Sequence, residues 1–259
     1  MNALAQNQTG RHHFQGALQI ARYNWPQYVV GFVAIIAAGA WLWCDKGNHG
    51  WLRLVLWPTL LLVTWWCVAS LAASHWIYDR SELYRWTWIP SVLPTKPRRW
   101  LNLHAGLDES STTLHELFPH SIGRVCDFFD AAEMSQPSIR RAREGQCTRA
   151  AEHVDHSRLP FSDETFDTVF LFFAAHELRH APSREAFFRE LRRVLARSGS
   201  LLLVEHTRDL ANFAAFGLGF LHFLPAGEWR RLARIAGLEV LKERRMTPFV
   251  KTILLRRTP

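Results

Sequence analysis

The sequence lacks the means for disulfide chemistry. Its four cysteines include no C-x-x-C pair: Cys44 and Cys67 lie in apolar surroundings, and Cys126 and Cys147 stand alone. A disulfide framework is excluded, and a reducing compartment fits. Also missing is any Lys/Arg block interleaved with aromatics, so the net charge of +8 does not describe a nucleic-acid surface, and no nucleic-acid partner is expected. Tryptophan and charge each avoid one part of the chain. Ten of the twelve tryptophans (Trp25, Trp41, Trp43, Trp51, Trp57, Trp65, Trp66, Trp76, Trp86 and Trp88) precede residue 90, leaving only Trp100 and Trp229 beyond it. Of the 31 basic residues only Arg11, Arg22, Lys46, Arg53, Arg80 and Arg85 precede Lys96, whereas 20 of the 23 acids follow it. The mean hydropathy of −0.09 therefore averages two unlike parts. At 259 residues and 48% hydrophobic content, the chain is no disordered segment and has room for one catalytic-size domain with an attachment.

The attachment is read from two uncharged stretches. Residues 26–44 (PQYVVGFVAIIAAGAWLWC) and 54–76 (LVLWPTLLLVTWWCVASLAASHW) carry no formal charge, and each is long enough as a helix to cross a hydrocarbon core of ~30 Å. With the polar turn DKGNHG between them, they predict a two-helix transmembrane hairpin over 25–78. Tryptophans near the predicted ends, Trp86 and Trp88 included, are expected to form an aromatic belt. Arg11 and Arg22 before the first span, and Arg80, Arg85, Lys96, Arg98 and Arg99 after the second, place both termini on the cytoplasmic side of a multi-pass inner (cytoplasmic) membrane protein. Residues 1–24 read as a cytoplasmic segment with an interfacial helical spacing. Residues 79–98, with three prolines and a basic cluster, read as a connector lying along the lipid headgroups. Membrane lipids are thus expected partners, and a tryptophan-rich hairpin offers a homodimer contact.

From 99 to 259 strand-like runs alternate with helical patterns: WLNLH, a helix around 112–118, RVCDFF, SIRRARE, TFDTVFLFF, SREAFFRELRRVLARSG and SLLLVEH. A helix over 228–236 and strands around 238–243 and 249–255 follow. Alternating β and α units imply an α/β fold with a mostly parallel sheet, and the uncharged interiors FLFF and LLLV suit strands buried on both faces.

The run LPFSDETFDTVFLFFAAHEL, followed by FFRELRRVLARSGSLLLVEH, resembles the central part of class I S-adenosylmethionine-dependent methyltransferases, in particular the group containing the quinone C-methyltransferases. The resemblance covers residues from about 99 to 255 and implies a Rossmann-like seven-stranded sheet, with S-adenosyl-L-methionine and a small-molecule methyl acceptor at the carboxyl ends of the strands. The chain departs from the family at the cofactor loop. LNLHAGLDESS stands where a strand should lead into Gly-x-Gly-x-Gly, so that only Gly106 occupies a family glycine position, with His104 and Asp108 at the outer two. Glycine serves there because the backbone turns sharply and approaches the ligand closely, so this loop needs another shape. By resemblance, Asn102, His104, Gly106 and Asp108 border the cofactor. Asp130 matches the acid that binds both ribose hydroxyls, with Asp127 a rival, and Asp155 and His156 match the adenine side.

Three predicted strand ends carry titratable groups: His104 after the first, His176 and Glu177 after the fourth, Glu205 and His206 after the fifth. In a parallel sheet these share one edge, where an imidazole or carboxylate can act as a general base and a carboxylate can stabilise a cationic sulfonium. The methyl donor needs no metal; a His/Glu site is chemically possible, since imidazole and carboxylate are ordinary zinc or iron ligands, but no i, i+4 pair is read as anchoring one and no metal is expected. Downstream, Phe213, Phe216, Phe220 and Phe223 read as an apolar lid or as packing against the sheet or hairpin; His222 lies among them. Arg179 and His180 are candidates to hold a polar acceptor group. The leading expectation is a membrane-anchored methyltransferase for a lipid, quinone or related ring at the cytoplasmic face. A methyltransferase for a small or volatile thiol and a non-catalytic membrane scaffold are the alternatives.

Overall fold

The computed structural model describes residues 13–45, 47, 50–144 and 151–258. Three helices open it: α1 (Gln15–Tyr23), α2 (Trp25–Cys44) and α3 (Gly50–Ser74), the last continued by a π-helical turn over His75–Arg80. Pro26 falls in the first turn of α2, where a missing N–H costs nothing. Pro58 lies inside α3, because that helix starts four residues before its uncharged stretch. The helices approach closely at Gly31, where a Cβ would sit 2.9 Å from Cys67 Sγ. Beside it the Tyr28 hydroxyl and Ser70 Oγ lie 3.0 Å apart. Their outer faces are apolar and bare, with Val30, Phe32, Trp43, Leu54, Leu61 and Val68 all exposed. Both helices are long and apolar enough to cross a membrane, and apolar faces turned outward are the reverse of what a core helix shows.

After a 3₁₀ turn at Leu83–Arg85 and the short α4 (Ile89–Val92), the sheet begins. Its elements in chain order are β1 (Arg99–His104), α5 (Ser111–Leu117), β2 (Ile122–Asp127), α6 (Pro137–Glu144), β3 (Glu152–His153), β4 (Phe166–Phe172), α7 (Ala181–Val194), β5 (Leu195–His206), α8 (Leu210–Phe216), α9 (Ala226–Ile235), β6 (Leu238–Thr247) and β7 (Val250–Arg257). The strand order is β3-β2-β1-β4-β5-β7-β6, with β7 antiparallel to both its neighbours and the other pairings parallel. The two-residue β3 has no hydrophobic run of its own and is not legible as a strand. Order reverses between β1 and β4, the switch point where open α/β sheets bind ligands.

Period-2 alternation divides the sheet between two cores. Val169, Leu171, Leu201 and Leu203 face Phe187, Phe188 and Leu191 of α7 and Trp229 of α9. Phe170, Phe172, Leu202 and Val204 face the other way. That second face also takes in the expected connector. Residues 79–98 are more than a connector: Leu83, Trp86 and Ile89, together with Ile77, are buried against the sheet beside Trp100 and Leu114. Trp86 is no belt residue, being 2% exposed and stacked on Phe172 at 4.7 Å between ring centroids. The polar residues around these four apolar anchors hide that packing in the sequence.

Candidate active site

The chain leaves β4 through Phe173, whose φ of +50° is rare outside glycine, and enters a 3₁₀ turn over Ala175–Glu177. Glu205, near the end of β5 and 1% exposed, holds that turn. Its carboxylate accepts from the Ala175 N–H at 2.9 Å, the His176 N–H at 3.3 Å and His176 Nδ1 at 2.7 Å. A carboxylate only accepts, so the His176 proton sits on Nδ1 and Nε2 is directed at Glu177 Oε1, 3.4 Å away. Burial works against charge on His176, but Glu205 and Glu177 outweigh it and push its pKa up to about 10. Glu177 is the converse. Burial raises its carboxyl, yet His176 and His222 hold it well below the carboxylate range. Its second oxygen, Oε2, is buried with no hydrogen-bond partner.

His222 comes from the segment after α8, with Nε2 3.6 Å from Glu177 Oε1 and its ring perpendicular to that of His176 at 4.8 Å. Arg179 fixes it there, donating from Nη1 to the His222 carbonyl at 2.7 Å. Arg179 therefore clamps the lid to the β4 turn. His180 points elsewhere, 2.9 Å from Glu133 Oε2.

His206 is wired differently. Its Nδ1 lies 3.2 Å from the Phe249 carbonyl, to which it must donate. Nε2 then accepts from the Tyr78 hydroxyl at 2.9 Å. Burial, reinforced by His176, lowers its pKa to about 3, so the ring is neutral. Tyr78 belongs to the π-helical turn that ends α3, so the hairpin supplies a side chain to the sheet edge. Nothing in the sequence marks this tyrosine beyond its position after the second span.

On the β1–β2 side most of the polar side chains satisfy one another, His104 being the exception. Asn102 donates to Ser111 Oγ at 2.8 Å and Ser110 Oγ at 3.0 Å. Asp108 accepts from the Ser110 and Ser111 N–H groups at 3.1 and 3.0 Å, so it caps α5 instead of standing in for a glycine. Gly106 has a φ of +100°, and a Cβ there would collide with the Arg143 guanidinium. His104 Nδ1 accepts from the Gly106 N–H at 3.0 Å, leaving its Nε2 buried without a partner. It lines a separate cavity of about 40 Å³ and does not join the His176 cluster. The strand-end acid of β2 is Asp127, which accepts from the Phe129 N–H at 2.9 Å and from Arg143 Nη1 at 2.7 Å. Asp130 lies three residues on, closing a local turn onto the Ala132 N–H at 2.8 Å. Asp155 closes an exposed turn onto Ser157 at 2.7 Å, while His156 is buried against Phe187.

A cavity of about 500 Å³ joins these parts. Tyr28, Gly31, Val63 and Cys67 of the hairpin line one end; His176, Glu177, His206 and His222 line the other. Phe216 and Phe223 of the predicted lid line it too, and Phe213 instead packs on the hairpin, edge-on to Trp66 at 5.6 Å. The Trp65 and Trp66 indoles donate to the Ala214 and Phe213 carbonyls at 2.9 and 3.2 Å, binding α8 to α3.

Residues 119–203, from just before β2 into β5, match the model of the methyltransferase domain family. A demethylmenaquinone methyltransferase of Thermotoga maritima is 27% identical over 114 residues, 44% of this chain and 46% of that protein. The chain thus spans about half the length of this curated relative. Among solved structures, the pyocyanin biosynthetic protein PhzM superposes with a TM-score of 0.51 at 16% identity, covering 72% of this chain and 58% of PhzM. The [4+2]-cyclase SpnF gives 0.50 at 16% identity, covering 71% and 82%. A cyclase beside a methyltransferase relative shows that the fold alone does not fix the chemistry. The strand order, the switch-point site and the matched segment from β2 to β5 give the chain a methyltransferase-type fold, similar to that of the S-adenosylmethionine-dependent methyltransferases.

Proposed function

We infer that the protein is a membrane-anchored methyltransferase that uses S-adenosylmethionine to methylate a lipophilic acceptor at the cytoplasmic membrane face. One observation carries this reading: a single cavity has membrane-type helices at one end and the titratable strand ends at the other. An acceptor dissolved in the bilayer would meet the reacting groups without crossing water.

The residues fit the cofactor. A buried carboxylate, Asp127, ends β2, the backbone at Gly106 is left-handed, and the orphaned His104 Nε2 sits beside them. Asp127 would hold the ribose hydroxyls in place of Asp130, with His156 and Asp155 toward the adenine; Arg143 must leave Asp127 for this to occur. The bound cofactor supplies an electrophilic methyl group on a cationic sulfur. Around it, the buried carboxylates Glu177 and Glu205 provide compensating negative charge in a low-dielectric site. His176, charged and fixed by Glu205, donates a hydrogen bond from Nε2. The neutral His206 accepts from Tyr78 and holds that hydroxyl at the cavity wall, where it can hydrogen-bond an acceptor.

The test supplies purified protein with methyl-labelled S-adenosylmethionine and a total membrane-lipid extract. Label is expected in the organic phase. Valine-to-tryptophan replacement at the hairpin end of the cavity, Val63→Trp, should reduce that transfer at least tenfold while calorimetric affinity for the cofactor stays within twofold. Label confined to a water-soluble or volatile product would refute the lipophilic acceptor, and absence of cofactor binding would refute the enzyme.

A further inference from the structure

We propose that His176, Glu177 and His222 form a site for a divalent transition-metal ion of the zinc or iron(II) class, at the sheet end of the large cavity. His176 Nε2 and His222 Nε2 lie 3.4 and 3.6 Å from Glu177 Oε1, and the ligand atoms of all three residues lie within 4.8 Å of one another. Tetrahedral bonds of about 2.0–2.2 Å set ligand atoms roughly 3.3–3.6 Å apart. Two of the three edges match that spacing already. The third closes by rotation of His222, which belongs to the lid segment and is half-buried.

Three features separate this cluster from an ordinary ion pair. Glu177 is 6% exposed, yet its Oε2 has no donor, which leaves a buried negative oxygen with an unused lone pair. Glu205 grips His176 at Nδ1, so the nitrogen left over is the one facing Glu177, and it binds the ion by giving up to solvent the proton it otherwise donates to Glu177; a carboxylate behind an imidazole is the arrangement that orients metal-bound histidines. Arg179 does not block the third ligand. Its Nη1 carries two hydrogens and has carbonyl acceptors at 2.7 Å (His222) and 3.3 Å (His176), so the contact at 3.3 Å with His222 Nδ1 is dispensable.

Two imidazoles and one carboxylate leave coordination positions open, as catalytic sites do and structural sites do not. All three ligands line the cavity, so those positions face it. There the ion would bind the oxygen or sulfur of an acceptor hydroxyl or thiol and favour its anion, its proton passing to solvent. This last role rests on the methyl-transfer reading; the ion site does not. His222 is 45 residues from Glu177 and could not be joined to it by motif spacing.

The test uses full-length protein in detergent, stripped with chelator, incubated with Co²⁺ or Zn²⁺ and desalted. About one equivalent should be retained, with the visible absorption of four- or five-coordinate Co²⁺. His222→Ala and Glu177→Gln should each weaken binding at least tenfold, and His180→Ala, outside the cluster, should not. His222→Ala alters a half-buried lid residue and should keep the melting profile, which guards against misfolding of the Glu177 variant. Negligible retention by the wild type, or retention unchanged in a His176→Ala/His222→Ala protein, overturns the site. Calorimetry of the metal-free protein with S-adenosylmethionine keeps the two readings apart, since failure to bind there removes methyl transfer and leaves the ion site standing.

Discussion

The two halves of the sheet edge are built in opposite ways. At the ends of β4 and β5, charged groups are buried and one carboxylate oxygen is left unpaired. At the ends of β1 and β2, Asn102, Asp108, Ser110, Ser111, Asp127 and Arg143 satisfy one another, and only His104 Nε2, facing a small separate cavity, is left over among the described residues there. Unmade bonds in a dry site mark groups held ready for a ligand, because leaving a buried polar atom unpaired is costly. A self-satisfied loop marks a half that must exchange partners before anything binds. The first half is preorganised; the second is closed.

The largest effect should come from the preorganised half. Glu205→Ala leaves the His176 charge buried beside Glu177 alone and strips the Ala175 and His176 N–H groups of their acceptor. Breaking a buried ion pair from one side costs about 3–5 kcal/mol. Denaturant titration should show that loss, with activity abolished. A loss below about 1 kcal/mol would mean that this half is not built around Glu205.

The closed half should respond in affinity more than in stability. Asp127→Ala removes a charged acceptor, worth about 1.5–3 kcal/mol, and should weaken cofactor binding at least tenfold by calorimetry. Asp130→Ala should change it less than twofold, since that side chain serves its own turn. The reverse result would return the ribose role to Asp130.

The same contrast explains what could be read in advance. Strands β4 and β5 announce themselves because burial on both faces demands unbroken apolar runs, and the groups at their ends follow from parallel topology. His176, Glu177 and Glu205 were legible for that reason. Tyr78 and His222 were not assigned roles, because their partners lie 128 and 45 residues away, across a helix junction and a lid. The β1 loop misled in another way. Asp108 looks like a lost glycine, but an acid that caps a helix N-terminus fills the position for a backbone reason. The packing of the connector was hidden for want of contrast, since Leu83, Trp86 and Ile89 stand among charged residues and prolines.

Arg143 offers the smallest effect and the sharpest test of closure. Its guanidinium pairs with Asp127 at 2.7 Å and stacks over Phe129 at 4.1 Å. It also fills the space above Gly106, where an added Cβ would collide with it. The pair is partly solvated, its side chains 29% and 11% exposed, so it is worth at most about 1 kcal/mol. If the cofactor must displace this arginine, that energy is subtracted from binding. Arg143→Ala should then tighten the cofactor up to about fivefold, and raised salt should tighten the wild type but not the variant, because screening weakens only the competing pair. Weaker binding by Arg143→Ala would make the arginine a ligand contact, and the β1–β2 half would count as open after all.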